Sequence, residues 1–291
     1  MNTDSDLLYR LLRLYPVSVV KSNFDTDNRV QIPMLHEIVS KIPREAINEF
    51  AVNNLGFTKQ HVFIFNNPVR FHDAASHNFK PESHYVSFNN EGIKSDVYFI
   101  EQDYNLIVSE KENGNIARMV LRFRQPMVIE LNINHIILKF TILERSPSSY
   151  LDDYEVLKFT RVFEDEQIVE QFVQHFRSIY SADLHRLDIN RGVKHLWNNN
   201  FIDAISIKYK RTASMATEVM DEDFTFKSQY PEKFNEVMLS PLRKHAFRFL
   251  INQDDYCDFV VDPTEGMLSF NKYPTSINQI YNVITEILRY N

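Results

Sequence analysis

The chain has 291 residues, of which 44% are hydrophobic and 24% charged, a composition typical of a folded globular protein rather than a disordered one. Its formal net charge of −7 argues against a protein that is coated with nucleic acid over its whole surface. The five glycines are so widely spaced that neither GxGxxG nor the P-loop pattern can be written, which excludes an ordinary Rossmann dehydrogenase, P-loop NTPase or protein kinase.

The first half of the chain is predicted to begin with helices and to continue as a sheet. Residues 5–15 carry leucines at helical spacing up to Pro16, after which VSVVK at 17–21 is typical of a strand. Two short helices are expected within 33–55. From about Gln60 to Leu143 apolar residues alternate with polar ones, which predicts a mostly antiparallel sheet.

Within this sheet, the stretch MVIELNINHIILKFTIL changes the positions of its apolar residues from odd to even. A strand cannot change its buried face without a bulge or a corner, so we expect one near His135.

A polar segment at 144–155 separates the two halves, and it places the boundary between predicted domains 1–147 and 148–291. The second half mixes strands with amphipathic helices, of which 164–180 and the last helix, from about Thr275, have the clearest apolar stripes. DFTFK, at 223–227, is expected to be a short strand. Because strands and helices mix without a βαβ rhythm, the predicted fold class is α+β.

The single cysteine, Cys257, cannot form an intramolecular disulfide and alternates with apolar residues, which predicts a core position and a reducing compartment. No apolar run is long enough to span a membrane, and the first residues do not resemble a signal peptide. We therefore expect a cytoplasmic protein. The single tryptophan, Trp197, is expected to be a packing anchor at the end of a helical segment.

Basic residues form three groups that could bind an anion. In the strand 116–124, Arg118, Arg122 and Arg124 alternate and should share one face, where a row of guanidinium groups suits phosphates or carboxylates. The alternative is a solvated outer face whose arginines pair with neighbouring strands. The other two groups come from a later strand and from the end of a helix: Lys208, Lys210 and Arg211, and then Arg243, Lys244 and Arg248.

Histidines and carboxylates are the other candidates for chemistry. His72, Asp73, His77 and His84 lie close together in sequence, but their spacing matches no familiar metal-site pattern. Acidic groups at 152–155, 164–166, 221–223 and 254–262 are explained by charged turns and helix N-termini, unless several converge in space. We therefore expect no metal site and no cofactor.

Three hypotheses about function remain. The favoured one is a non-catalytic binding or regulatory subunit that recognises a nucleic acid backbone or an acidic partner protein through its basic strand faces. An alternative is a metal-dependent hydrolase or nuclease whose site is assembled from dispersed Asp, Glu and His residues. A third is an accessory component of an antiviral defence system, which rests on the absence of common catalytic motifs. Oligomers and hetero-complexes are both compatible with the sequence.

Overall fold

The structure is a computed structural model, and it describes residues 2–70, 84–88, 94–211, 214–219, 225–250 and 256–291. Its helices, in chain order, are α1 (Asp4–Leu12), α2 (Val17–Asn23), α3 (Gln31–Lys41), α4 (Arg44–Asn53), α5 (Asp165–Tyr180), α6 (Asn190–Asn198), α7 (Phe226–Gln229), α8 (Pro231–Leu239) and α9 (Gln279–Arg289). Its strands are β1 (Gln60–Asn66), β2 (His84–Phe88), β3 (Lys94–Glu110), β4 (Ile116–Leu131), β5 (His135–Thr141), β6 (Tyr154–Arg161), β7 (Ile202–Arg211), β8 (Ser214–Val219), β9 (His245–Leu250), β10 (Tyr256–Asp262) and β11 (Met267–Phe270). The α+β class and the antiparallel sheet are confirmed.

The chain groups into two compact units, each assembled from several stretches of sequence. The first unit comprises Met1–Thr58, Asp73–Glu130 and Phe140–Asp183, and the second comprises Lys59–His72, Leu131–Lys139 and Leu184–Asn291. The boundary predicted between residues 147 and 148 falls inside the third segment of the first unit. The division into domains 1–147 and 148–291 stays a prediction.

The first unit is organised around β3, the long central strand of its sheet. Along one edge β3 pairs antiparallel with β4, from Ser95 opposite Glu130 to Ser109 opposite Ile116. Its other edge is shared by β2 at one end and β6 at the other, with a register shift in the β6 pairing between Ile107 and Val108. The core combines apolar residues of α1–α4 with those of these strands, including Leu11, Leu12, Ile38, Ile47, Leu106, Leu121 and Phe123.

The start of the chain attaches to the edge of β4. Thr3 and Asp6 form a capping box that begins α1, and Arg10 of that helix donates a 2.6 Å hydrogen bond to the carbonyl of Arg122. The side chain of Asn2 donates to the Val120 carbonyl at 2.8 Å and accepts from the Arg122 N–H at 2.9 Å. These bonds satisfy backbone groups of β4 that a strand partner would otherwise occupy.

The second unit is a sheet with helices packed on one face. Its strand order is β5-β1-β11-β10-β9-β7-β8, where β5 contributes its residues up to Lys139. Alternate residues of its strands face the helices, and the buried set includes Val62, Phe247, Phe249, Cys257, Phe259, Leu268, Trp197, Val193 and Ile284. The core positions of Cys257 and Trp197 are confirmed, and the Trp197 ring packs edge-on against Phe234 and Phe247.

A glycine permits the close approach of two helices in this unit. A Cβ atom on Gly192 of α6 would lie 2.1 Å from the backbone carbonyl oxygen of Ile287 in α9. Any larger side chain would therefore push α9 away from α6.

Three predictions of local structure were wrong. Residues 17–21, predicted as a strand, belong to α2, whose first turn closes with hydrogen bonds from Val19 and Val20 to the carbonyl of Pro16. Part of the predicted strand 223–227 belongs to α7, which is capped by the Thr225 hydroxyl. Residues 127–143 are not one strand with a corner, because β4 and β5 are separated by a short turn that the Asn132 N–H closes by bonding to the His135 carbonyl.

Of the helices that the structure describes, none combines the length and the apolar composition needed to cross a membrane.

Candidate functional site: a cationic pocket beside two tyrosines

The first predicted basic group lies on β4, and its three arginines have three different environments. Arg118 is exposed and forms no ion pair with any described residue. Arg122 donates two hydrogen bonds to Asp103, at 2.8 and 3.0 Å, and lies 3.0 Å from a carboxylate oxygen of Glu101. Arg124 is buried, and its guanidinium donates to Asn48 at 3.0 Å. The three do not form an open row of cations.

The neighbouring strand explains the environment of Arg122. Asp103 stands directly opposite Arg122 in the β3–β4 register, and Glu101 lies one pair further along the same face. Hydrogen bonding to Asp103, together with the charges of both carboxylates, raises the pKa of Arg122. With one guanidinium between two carboxylates, this cluster carries a net charge of −1.

The second basic group lies on a strand whose backbone alone is described at those positions. Lys208, Lys210 and Arg211 belong to the end of β7, and their side chains lie outside the described part of the structure. The predicted histidine group is also outside it: residues 72, 73 and 77 are not described, and only the backbone of His84 is.

The third basic group is divided between a connection and a strand. Arg243 and Lys244 are exposed in the segment between α8 and β9. Arg248 lies within β9, opposite Asp258 of β10, and donates to its carboxylate at 2.9 Å. Its guanidinium also stands over the Tyr256 ring, 4.0 Å from the ring centroid. Arg248 and Asp258 lie next to a pocket that the sequence alone did not identify.

Beside this pair lies a pocket of about 300 Å³. It is formed where the start of β10 meets the segment that connects β11 to α9. The residues that determine its chemistry are Tyr256, Asp258, Lys272, Tyr273, Thr275 and Gln279. All of them belong to the second unit.

The pocket is shaped by strand alternation and by one buried amide. Cys257 and Phe259 of β10 face the core, so Tyr256 and Asp258 face the other side of the sheet. Gln279, at the start of α9, is buried; its side chain accepts from the Thr275 N–H at 2.8 Å and donates to the Tyr256 carbonyl at 3.1 Å. These bonds hold the connecting segment against β10.

Asp258 receives two cations. Besides Arg248, the ammonium of Lys272 lies 2.7 Å from its carboxylate, and the Lys272 side chain is 70% exposed whereas that of Asp258 is only 11% exposed. Burial alone would raise the pKa of Asp258, but the hydrogen bonds from Arg248 and Lys272 outweigh it and the pKa is lowered. The same contact raises the pKa of Lys272. The triad of Arg248, Asp258 and Lys272 carries a net charge of +1, which is partly offset by Asp203 of β7, opposite Arg248 in the β7–β9 register.

Two tyrosine rings border this positive charge. Tyr256 is 44% exposed and Tyr273 is 40% exposed. A further cation, Lys59, stands over the Tyr273 ring at 4.5 Å from its centroid. Exposed aromatic faces next to cations are the arrangement that binds bases together with phosphates in single-stranded nucleic acid. The cationic pocket denotes Lys59, Arg248, Tyr256, Asp258, Lys272 and Tyr273 below.

In the described part of the chain, no three His, Cys, Asp or Glu side chains are placed to hold a metal ion together. The predicted acidic group at 221–223, and residues 254 and 255 of the group at 254–262, lie outside the described residues. Asp165 is buried and accepts from Arg161 at 2.7 Å and from Gln125 at 3.0 Å, so its carboxylate serves an internal ion pair. Asp258 is likewise occupied by its two cations.

Comparison with known proteins gave no matching family model, no matching curated protein and no matching solved structure. The interpretation of the cationic pocket accordingly depends on its own chemistry.

Proposed function

We propose that this protein is a non-catalytic binding protein that recognises single-stranded nucleic acid at the cationic pocket. The observation that carries the proposal is the convergence of Arg248 and Lys272 on one carboxylate between two exposed tyrosine rings. A nucleotide strand offers what this surface lacks: a phosphate for the excess positive charge and flat bases for the rings.

The charges of the pocket suit a phosphate group better than a metal ion. Lys272 is mostly exposed and can turn one or more of its ammonium protons toward an incoming phosphate while Arg248 continues to neutralise Asp258. A divalent cation would instead need free carboxylate oxygens. The metal-dependent hydrolase and the antiviral accessory component stay predictions of the sequence alone.

The negative charge of the whole chain indicates a small footprint. With a formal net charge of −7, the protein would repel a polyanion except where cations are concentrated. We therefore expect contact with only a few phosphates, a shallow dependence of affinity on salt, and a large share of the affinity from stacking.

The experiment that tests this proposal measures binding of fluorescent oligothymidine and oligouridine, about ten nucleotides long, by anisotropy at several salt concentrations. Lys272→Gln should reduce the magnitude of the salt slope by about 0.7, the value for one phosphate contact on a single strand. Tyr273→Ala should weaken binding about tenfold through the loss of one stacked base.

Two matched variants control for general effects of charge and aromatic surface. Lys41→Gln removes a lysine that is also exposed and ion-paired, to Glu37 at 2.6 Å, but lies in the first unit. Phe201→Ala removes a ring of similar exposure elsewhere in the second unit. Both controls should bind like the wild type. Equal effects in test and control variants, or wild-type binding by Lys272→Gln and Tyr273→Ala, would refute the proposal.

A further inference from the structure

Strand β6 forms an exposed edge of the sheet in the first unit. In the described part of the chain it pairs only with β3, and most of its residues are exposed. Large apolar side chains are exposed along it and just beyond it: Leu157, Phe159, Val162 and Phe163. Four such residues within one short stretch of an edge strand form a surface suited to another strand.

The backbone of β6 shows which groups point away from β3. The N–H of Val162 donates to the Asp103 carbonyl at 2.8 Å, so Val162 turns its backbone toward β3. Successive residues of a strand alternate in this direction, and the N–H and C=O groups of Arg161 and Phe159 therefore point outward. An added strand would find donors and acceptors there.

Two cations without an ion-pair partner among the described residues lie beside this edge. Ile107 of β3 stands opposite Arg118 of β4 on one side and opposite Lys158 of β6 on the other, so the two cations flank it on the same face of the sheet. Both side chains are exposed, and neither forms an ion pair with a described residue. Of the acids near this edge, Glu155 lies beyond the register shift, and Glu164 and Asp165 pair with Arg161.

We propose that the β6 edge binds an extended acidic segment of a partner protein by antiparallel strand addition. The added strand places an acidic side chain opposite Lys158 and an apolar one opposite Phe159, and so alternates acidic and apolar residues. Charge selects this occupant over a second copy of the chain, because two β6 strands paired antiparallel about Lys158 would set the two lysines opposite each other.

The test uses the full chain and two synthetic peptides with blocked ends, one alternating valine with glutamate and the other valine with lysine. Binding is measured by calorimetry, and the contacted strand is located by hydrogen exchange. We expect the glutamate peptide to bind more tightly than the lysine peptide and to protect the backbone amides of Phe159 and Arg161. Lys158→Glu should lower the affinity for the glutamate peptide about fivefold and raise the affinity for the lysine peptide by a similar factor.

Lys21→Glu is the matched control, because it reverses the charge of an exposed lysine on a different element, α2, of the same unit. It should leave both affinities unchanged. The proposal is overturned if neither peptide binds, if both bind equally, or if Lys158→Glu changes neither affinity. It is also overturned if protection of β6 depends on protein concentration alone, which identifies a second copy, or if oligouridine displaces the glutamate peptide from this edge, which identifies nucleic acid.

Discussion

Each unit contains an arginine and an aspartate on facing strands, and the third charged side chain that contacts each pair has the opposite sign in the two units. Arg122 and Asp103 face each other across β4 and β3, and Arg248 and Asp258 face each other across β9 and β10. In the first pair the third charged group is Glu101, which lies on the arginine; in the second it is Lys272, which lies on the aspartate. Glu101 gives the first group of three a net charge of −1 and Lys272 gives the second a net charge of +1, although Asp203 of β7 also stands opposite Arg248 and partly offsets that charge.

The difference shows why a basic strand pattern does not by itself identify an anion site. Arg122 and Arg248 look alike in sequence, each alternating with core residues on a strand. Whether such an arginine can bind an anionic ligand depends on the charges on the neighbouring strands and on the exposure of nearby aromatic rings. Both arginines face two acids, Asp103 and Glu101 for Arg122 and Asp258 and Asp203 for Arg248. Arg248 also has Tyr256 beneath it and an exposed lysine beside Asp258.

The largest expected difference between the two pairs is in the stability lost when the aspartate of each is removed. Asp258→Ala removes the carboxylate that the half-buried Arg248 contacts at 2.9 Å and Lys272 at 2.7 Å, and we expect a loss of about 2 kcal/mol in the free energy of unfolding. Asp103 is more exposed and Arg122 keeps Glu101, so Asp103→Ala should cost only about 0.5 kcal/mol. Urea unfolding of both variants measures these values. Equal losses would show that the two pairs do not differ in burial as described.

Mild acid should destabilise the second unit more than the first. His245 is buried in the second unit, and burial lowers its pKa. Below the unfolded pKa of about 6.5 the unfolded chain binds a proton that the folded chain resists, so stability falls with pH by at most about 1.4 kcal/mol per unit until the folded pKa is reached. Hydrogen exchange at several pH values should show β9 and β10 losing protection before β3 and β4. His245→Gln should reduce this pH dependence, and the pKa of His135 in the same unit, also lowered by burial, accounts for part of what is left. An unchanged pH dependence in His245→Gln would contradict the assignment.

The sequence predicted the parts of the fold that depend on local periodicity. The stripe of Ile168, Val169, Phe172 and Phe176 defined α5, and the alternation around Cys257 and Phe259 placed β10 against the core. Long-range pairing was not available from sequence, because no pattern within β4 shows that Asp103 will stand opposite Arg122.

The candidate site depended even more on long-range pairing. Lys272 and Tyr273 belong to a connection without periodicity, and only the pairing of β10 with β9 and the Gln279 hydrogen bonds bring them to Arg248. The one available signal was Arg248 itself, which the sequence placed in a basic group without its aspartate or its tyrosine. The strand predicted at residues 17–21 was wrong for a related reason. The valines there favour a strand, but the helical turn that begins at Pro16 overrides that preference.

Neutralising the two acids that contact Arg122 should give the first unit a weak affinity for single-stranded nucleic acid. Glu101→Gln combined with Asp103→Asn removes both acidic partners of Arg122, which shares a face of β4 with the exposed Arg118. We expect a weak additional affinity for oligouridine, about twofold to threefold, with a salt slope steeper by about 0.7. The Arg122→Gln change in the same background should remove the gain. An increase that survives Arg122→Gln would assign the effect to net charge alone.

Photocrosslinking can locate the bound nucleic acid, which we expect to lie against Tyr256 and Tyr273. The wild-type protein is irradiated with an oligouridine that carries bromouridine, and mass spectrometry locates the crosslinked residues. We expect crosslinks at Tyr256 or Tyr273, and we expect them to decrease in Lys272→Gln as its affinity for the oligonucleotide decreases. Crosslinks confined to other parts of the chain, at an oligonucleotide concentration that saturates binding, would contradict it.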